Sequence, residues 1–435
     1  MKRVCLAVFV VVAILPADVQ SADWPQYLGP ERNATSSETG LARAWPEDGP
    51  KVLWTVTLGQ GYGAPAVVDG KVYILDRVEN DQDMLRCFDL GSGEEKWNFA
   101  YDAPGRYSHP GSRSVPAVKG QRVYTCGSFG NLYCFDETTQ KPLWSKHILK
   151  DFGGGDPPGW GIVQSPLLYE DVVIVAPMTS EVGVAALDEV TGKVRWTSPP
   201  LSGRPSYTSP SIVNIDGAYQ IVMVSAGKDE RSRGRSEGQA SGDRAENPGA
   251  IAGFDPKNGK QLWSYSGWQC KIPIPNVVSA GDGRLLIAGG YNAGSAMIQV
   301  KKHDQGYAVE GLYKTMDFGT HAHPPVLYKD HFYGHYSTNE RRDGMVCMSM
   351  DGQIRWKTEN SPLFDKGGML LADGLIFTVD GNEGCLYLIE PSTESFKVLS
   401  KAKLLEGREI WAPLALSDGK LLIRDQTQMK CVLVR

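Results

Sequence analysis

The chain of 435 residues has no adjacent cysteine pair and no Cys-x-x-Cys-His segment. It therefore offers neither a vicinal disulfide nor a site for covalent haem attachment. Gly-x-Ser-x-Gly, His-Glu-x-x-His and the phosphate-binding loop are absent too, which removes the hydrolase and nucleotide-cleaving chemistries those motifs carry. The Gly-rich stretch 153–161 lies between strand-like segments, not before a helix, and reads as a bent loop. No catalytic residue is assigned. A strong charge of one sign is lacking as well. With 45 Lys and Arg against 50 Asp and Glu, the net charge is −5, which disfavours nucleic acid or an anionic membrane as the main partner.

Long hydrophobic runs are missing except near the start. There Lys2 and Arg3 precede the apolar run "VCLAVFVVVAIL", and small residues follow. Residues 1–21 therefore read as a signal peptide, with a core too short to span a bilayer. Cys5 lies at the start of that run and not just after it, so no lipid anchor is expected. The expectation is an exported chain, periplasmic or extracellular, with no membrane span and a monomeric state.

What the sequence does contain is a repeat. The phrases "LRCFDLGSGEEKW", "LYCFDETTQKPLW", "VAALDEVTGKVRW", "IAGFDPKNGKQLW" and "MVCMSMDGQIRW" end at Trp97, Trp144, Trp196, Trp263 and Trp356. Trp54, Trp97, Trp144 and Trp196 follow one another at intervals of 43, 47 and 52 residues. A period in this range marks a propeller or solenoid. Two degenerate copies, "AMIQVKKHDQGYAVEGLYK" and "CLYLIEPSTESFKVLSK", keep the outline. Each repeat divides into four strands, with Asp69-Gly70 as a tight hairpin signal in the first. A four-stranded sheet cannot bury both faces alone, and radial stacking solves that. The last run stops at Arg435 one strand short, while "PKVLWTVTL" around Trp54 has no repeat of its own. The two ends are expected to share one blade. The fold class is thus all-β, an eight-bladed propeller of four-stranded antiparallel blades closed by an N-terminal strand in the last one. Its parts are a lead-in segment at 22–49 and the propeller at 50–435, with a polar surface insertion at 227–249.

The Trp phrases resemble the quinoprotein-type (PQQ-like) β-propeller repeat family. "DWPQYLGPERN", "WGIVQSPLLYEDVVIVAP" and "HAHPPVLYKDHFYGHYS" resemble secreted members of planctomycete type. The resemblance implies the fold over nearly the whole mature chain. It implies pyrroloquinoline quinone (PQQ) as a cofactor only where a vicinal Cys pair and a Ca²⁺-binding carboxylate and amide set are present. The pair is absent here and no such set is recognisable, so no cofactor is assigned, with PQQ as the alternative.

Site candidates follow from the repeat register. The tryptophans Trp54, Trp97, Trp144, Trp196, Trp263 and Trp356 are read as structural, each packing blade on blade with its N–H on a carbonyl. The short approach to each first strand lies at a channel mouth. Those positions hold Tyr62, Arg113, Gln164 with Trp160 nearby, Tyr207, Ile274, His323 with His321, Lys366 and Trp411. They vary while the strands stay alike, and their side chains suit a polar organic or anionic ligand. They are expected to pack little against the fold. His321 and His323 supply two metal ligands without a third, so no metal is expected. The pairs His321/His323 and His331/His335 are expected at different ends of their blade. Cys87, Cys134 and Cys347 occupy equivalent third-strand positions and read as buried thiols. Cys126 and Cys134, symmetric about Gly130, are placed to face each other, with a cross-strand disulfide or free thiols as the alternatives. These readings describe a non-catalytic binding or scaffold propeller for a protein partner or polar small molecule. The alternative is a quinoprotein oxidoreductase of the polyvinyl-alcohol-dehydrogenase type.

Overall fold

The structure, a computed structural model, describes residues 23–227, 247–337, 344–358 and 361–435. The leader expected over 1–21 and most of the 227–249 insertion lie outside the described residues. Eight antiparallel four-stranded units are arranged in chain order, one of them with a fifth strand added. Blades 1 to 7 begin at Ala66, Ala117, Leu167, Ser211, Val278, Val326 and Met369. Blade 8 takes three strands from 415–433 and its outer strand, Val52–Thr57, from the other end of the chain. Val52–Thr57 runs antiparallel to Gln428–Leu433, with Trp54 opposite Cys431. That pairing closes the ring. Among the described residues the only helix is a 3-10 turn at Lys150–Phe152, and no helix is long and apolar enough to cross a membrane.

Turn chemistry explains the blades locally. Asp69-Gly70 has φ of 50° and 70°, and Asp216-Gly217, Asp373-Gly374 and Asp418-Gly419 repeat the arrangement. Both central residues at positive φ make the tight hairpin whose twist matches its strands. Every blade then carries a register shift between its third and fourth strands, beside the Trp or its equivalent. Such a bulge increases the local twist and re-aims the side chain that follows it.

The re-aimed indoles reach the next blade. Trp54 Nε1 donates to Leu90 O at 2.9 Å, Trp144 to Glu189 O at 3.2 Å, Trp196 to Pro256 O at 3.0 Å and Trp356 to Ser392 O at 2.8 Å. Each acceptor lies in or beside the turn before the neighbour's fourth strand. There Gly93, at φ +75°, lies so close under Trp54 that a Cβ would come within 2.7 Å of its ring. Gly192 under Trp144 and Gly259 under Trp196 repeat the contact. The residue opposite each indole on the third strand is small. It is cysteine beside Trp54, Trp97, Trp144 and Trp356, alanine beside Trp196 and glycine beside Trp263.

Two of the six structural tryptophans depart from the expected carbonyl bond. Trp263 donates to Gln220 Oε1 at 2.6 Å, because the ten-residue strands Gly294–His303 and Gly306–Thr315 of blade 5 replace the usual turn beside it. Trp97 Nε1 has no acceptor; the corresponding turn of blade 2 has Gln140 at positive φ where others have Gly. The cysteine hairpin also differs from expectation. Cys126 stands opposite Leu132 and Cys134 opposite Tyr124, so the hairpin is centred on Phe129 and the two thiols do not face each other. The seven described cysteines are free and buried.

The lead-in segment does more than approach the ring. Trp24 exchanges backbone hydrogen bonds with Val67 of blade 1, and Pro25 O accepts from Val118 N of blade 2. Arg32 donates to Pro166 O at 3.1 Å and to Pro210 O at 3.0 Å, just before the first strands of blades 3 and 4. Thr35–Ser36 then adds a parallel fifth strand to blade 7, paired with Leu371 and Ala372. The segment thus crosses the channel from one side to the other before its chain enters blade 8.

Two outcomes check this account. Deleting residues 23–58 removes the closing strand and exposes a sheet edge, so aggregation or loss of the cooperative melt is expected; a monomer melting like the full chain contradicts ring closure. Trp54→Phe leaves the buried Leu90 carbonyl without its donor. It is expected to cost about 1–3 kcal/mol more than Trp97→Phe in urea titrations, since the Trp97 N–H has no bond to lose. Equal losses would show that the N–H bond is not what holds the blades.

Candidate ligand cavity at the channel mouth

The loops that lead into the eight first strands converge on a single cavity of about 460 Å³. Tyr62, Arg113, Trp160, Tyr207, Ile274, His321, His323, Lys366 and Trp411 all line it. They come from the approaches to all eight blades, as the repeat register anticipates. Gln164 does not line it. Its amide turns away and pairs with the Ala176 backbone, donating to Ala176 O and accepting from Ala176 N, both at 2.7 Å. His109, Lys271, Ile272 and Tyr291 line the cavity without any signal in the repeat, and Tyr27 of the lead-in segment joins them. Because that segment spans the channel, Tyr27 belongs to the cavity's floor.

The wall is a belt of touching rings. Tyr62 stacks on Trp411 at 5.6 Å, His109 lies 5.8 Å from Trp411 and 6.3 Å from Trp160, and Trp160 leans on Tyr207 at 5.2 Å. On the other side Tyr291 meets His321 edge-on at 4.5 Å. Cations sit on these rings. Lys366 Nζ is 4.3 Å from the Trp411 ring centroid, and the Arg113 guanidinium is 5.5 Å from that of Tyr62 and 5.4 Å from that of Tyr107. All three distances fall within the range of cation–π attraction.

Acidic groups stand behind the wall and not in it. Asp365 accepts from Trp411 Nε1 at 2.8 Å and from Lys366 Nζ at 3.1 Å. Glu409 accepts from the Tyr62 hydroxyl at 2.6 Å. Burial first, and then the Glu409 carboxylate, push the Tyr62 phenol well above its ordinary value, so it stays a neutral donor. No Asp or Glu is among the lining residues.

The rim packs more than its sequence position suggests. Arg113 is buried and braces its own loop, donating to His109 O, Gly111 O and, at 3.4 Å, to Ser128 Oγ. Trp411 is held by both the Asp365 bond and the Tyr62 stack. The histidine pairs also fall differently from expectation. The strand His331–His335 carries His331 to the far turn and returns His335 to the mouth side, near His323. His323 Nε2 donates to Trp411 O at 2.9 Å, a bond that requires the proton on that nitrogen. His335 stacks on Phe364 at 4.7 Å and shares a 2.8 Å hydrogen bond with Thr378. Among the described residues no group of three or more His, Cys, Asp or Glu converges as a metal site would require.

Residues 80–269 match the family described as outer membrane protein assembly factor BamB. A stretch of 172 residues is 27% identical to quinoprotein ethanol dehydrogenase of Pseudomonas aeruginosa, covering 38% of this chain and 24% of that protein. The match thus spans about a quarter of that relative's length. Among solved structures, quinohemoprotein alcohol dehydrogenase of Comamonas testosteroni superposes with a TM-score of 0.67 at 14% identity, covering 95% of this chain and 80% of that one. BamB of Moraxella catarrhalis superposes with a TM-score of 0.57 at 14% identity, covering 88% of this chain and 99% of that one. At such identity the likeness shows the fold alone.

Burial lowers the pKa of His335 to about 3 and of His323 to about 4, from 6.5. The unfolded chain takes up a proton near pH 6.5 that the native state refuses. The stability held by the neutral rings is therefore complete above pH 6.5 and is lost as pH falls towards 4 and then 3. The melting temperature is expected to fall on acidification through this window. The slope should be shallower in His335→Gln, which has no such proton to take up. Identical pH slopes for the two proteins would rule this out.

Proposed function

Taking as premise that the chain is a PQQ-like β-propeller repeat protein, we propose that it is a binding propeller without catalytic chemistry. It takes a polar ligand at the channel mouth and works after export, in the periplasm or outside the cell. The observation that carries this reading is the convergence of loops from all eight blades on one cavity, floored by the lead-in segment. The blade bodies repeat and the mouth does not. A volume of about 460 Å³ lies in the range of small-molecule sites, and aromatic walls with a few placed polar groups are their usual construction. A protein partner offering a side chain to the cavity would meet the same groups, as the match to an assembly factor supports.

The alternative is a quinoprotein-type oxidoreductase, supported by the named relatives. Its cofactor, PQQ, is a flat aromatic polyanion. The stacked rings and the Arg113 and Lys366 cations fit such a plane. The same wall has no carboxylate to hold a divalent cation beside it or to remove a proton from an alcohol. The donor set therefore does not fit metal-assisted quinone chemistry, and no catalytic step is assigned through it.

Native mass spectrometry of the full chain, after exposure to the small-molecule fraction of an envelope extract, tests the binding reading. A retained ligand is expected to lose roughly 1–3 kcal/mol of affinity in each of Trp160→Ala and Lys366→Ala, with melting shifted by only a few degrees. These two side chains are partly exposed, whereas Arg113 braces the fold. Unchanged retention in both variants would place the active surface elsewhere. With PQQ and Ca²⁺ added, no dye-linked alcohol oxidation is expected; turnover would overturn the non-catalytic reading.

A further inference from the structure

Two buried guanidiniums flank the mouth cavity without an ion-pair partner among the described residues. Arg32, 7% exposed, is held by the Pro166 and Pro210 carbonyls and by Gln26 Oε1 at 3.1 Å, all neutral groups. Its Nε has no acceptor at all. Arg113, 9% exposed, is likewise held by the His109 and Gly111 carbonyls and the Ser128 hydroxyl. Arg113 is in the wall. Arg32 is one layer below the floor, its Cζ 5.7 Å from the centroid of the lining residue Tyr27. Arg32 also hydrogen-bonds the carbonyl of Pro210, next to the lining residue Ser209.

A buried charge without a counter-ion is costly, and charges of this kind are ordinarily paired. Here the two arginines enclose the space from side and below. Lys271 and Lys366 also line the cavity, Lys366 with Asp365 behind it at 3.1 Å, and no Asp or Glu is among the lining residues. This is a concentration of positive field in a chain whose net charge is −5. A low-dielectric cleft lined by one sign of charge focuses that field on whatever enters.

We infer that Arg32 and Arg113 make the mouth cavity a receptor for a carboxylate-bearing organic anion, held by these charges without a bridging metal ion. The inference rests on the reading of the mouth as a ligand site, and it adds the ligand's chemistry and a residue outside the lining. Arg113 meets the carboxylate from the wall. Arg32 acts through the Tyr27 floor and ties the site to the segment that crosses the channel.

Isothermal titration of the full chain in EDTA tests it with three probes: galacturonate, citrate and the neutral sugar galactose. At least one acid is expected to bind, and galactose is expected not to. Binding of galacturonate alone identifies an acidic saccharide, and binding of citrate alone an aliphatic polycarboxylate; both support the inference. Affinity for the acid should fall about tenfold or more in Arg32→Gln and in Arg113→Gln, and be largely kept in Arg32→Lys. If the Gln variants do not fold, the wild-type comparison of galacturonate with galactose, and a loss of affinity with added salt, still decide the matter. Binding of neither acid, equal binding of galactose, or acid binding only with Ca²⁺ present overturns the inference. A loss in Arg113→Gln with none in a folded Arg32→Gln removes Arg32 from the site. If a neutral ligand is retained and weakened by Trp160→Ala, the mouth is a binding site and the anion inference alone fails.

Discussion

The antiparallel pairing of Val52–Thr57 with Gln428–Leu433 is the contact on which the remaining blades depend. A blade is a sheet with two apolar faces, and each face is covered only by a neighbour. In an open row the two terminal blades would each leave one face to water. Closing the ring covers both, and it sets the angle between blades that brings the eight approach loops to a common point. The cavity at the mouth is thus a product of closure and not of any one blade.

Closure needs every blade to meet the next at a fixed distance, and the indoles supply that spacing. A bulge turns the Trp out of its own sheet, a small third-strand residue leaves room for it, and a left-handed glycine such as Gly93 lets the neighbour's turn lie against its face. Beside Trp97, where the turn has Gln140 in place of glycine, the N–H has no acceptor, while the glycine-free turn beside Trp356 still supplies Ser392 O. In blade 5 the Trp position is Tyr313, which lies on Gly352 of blade 6 by the same contact. In blade 7 the equivalent residue is Ser400, whose hydroxyl accepts from the Trp45 backbone, so the lead-in segment docks where an indole would be.

Much of this was legible because it repeats. The Asp-Gly turns and the phrase ending in Trp fix strand number, and the unpaired Trp54 strand reveals closure. The same register located most of the mouth, since each approach occupies one place in the repeat. It misplaced Gln164, because register gives a residue's position and not the direction of its side chain. It missed His109 and Tyr291, which come from loop bends that do not recur. Tyr27 and Arg32 were invisible to it, because the path of a single crossing segment leaves no period. The cysteine hairpin was misread for a related reason. The turn centres on Phe129, and one residue of offset separates thiols that symmetry about Gly130 would have paired.

The composite blade also has a kinetic side. Its outer strand and the partner of that strand are separated by the whole propeller, so among the described residues no other strand pair joins positions so far apart in sequence. Blades 2 to 6 are each built from one continuous stretch, and such local contacts form fast, whereas the closing pair carries a high contact order. A chain made from its N-terminus produces the closing strand before any blade and its partner after all of them. Until that partner arrives, a six-residue strand edge stands open to other chains. Protection of this edge during synthesis is a demand that the finished ring no longer displays.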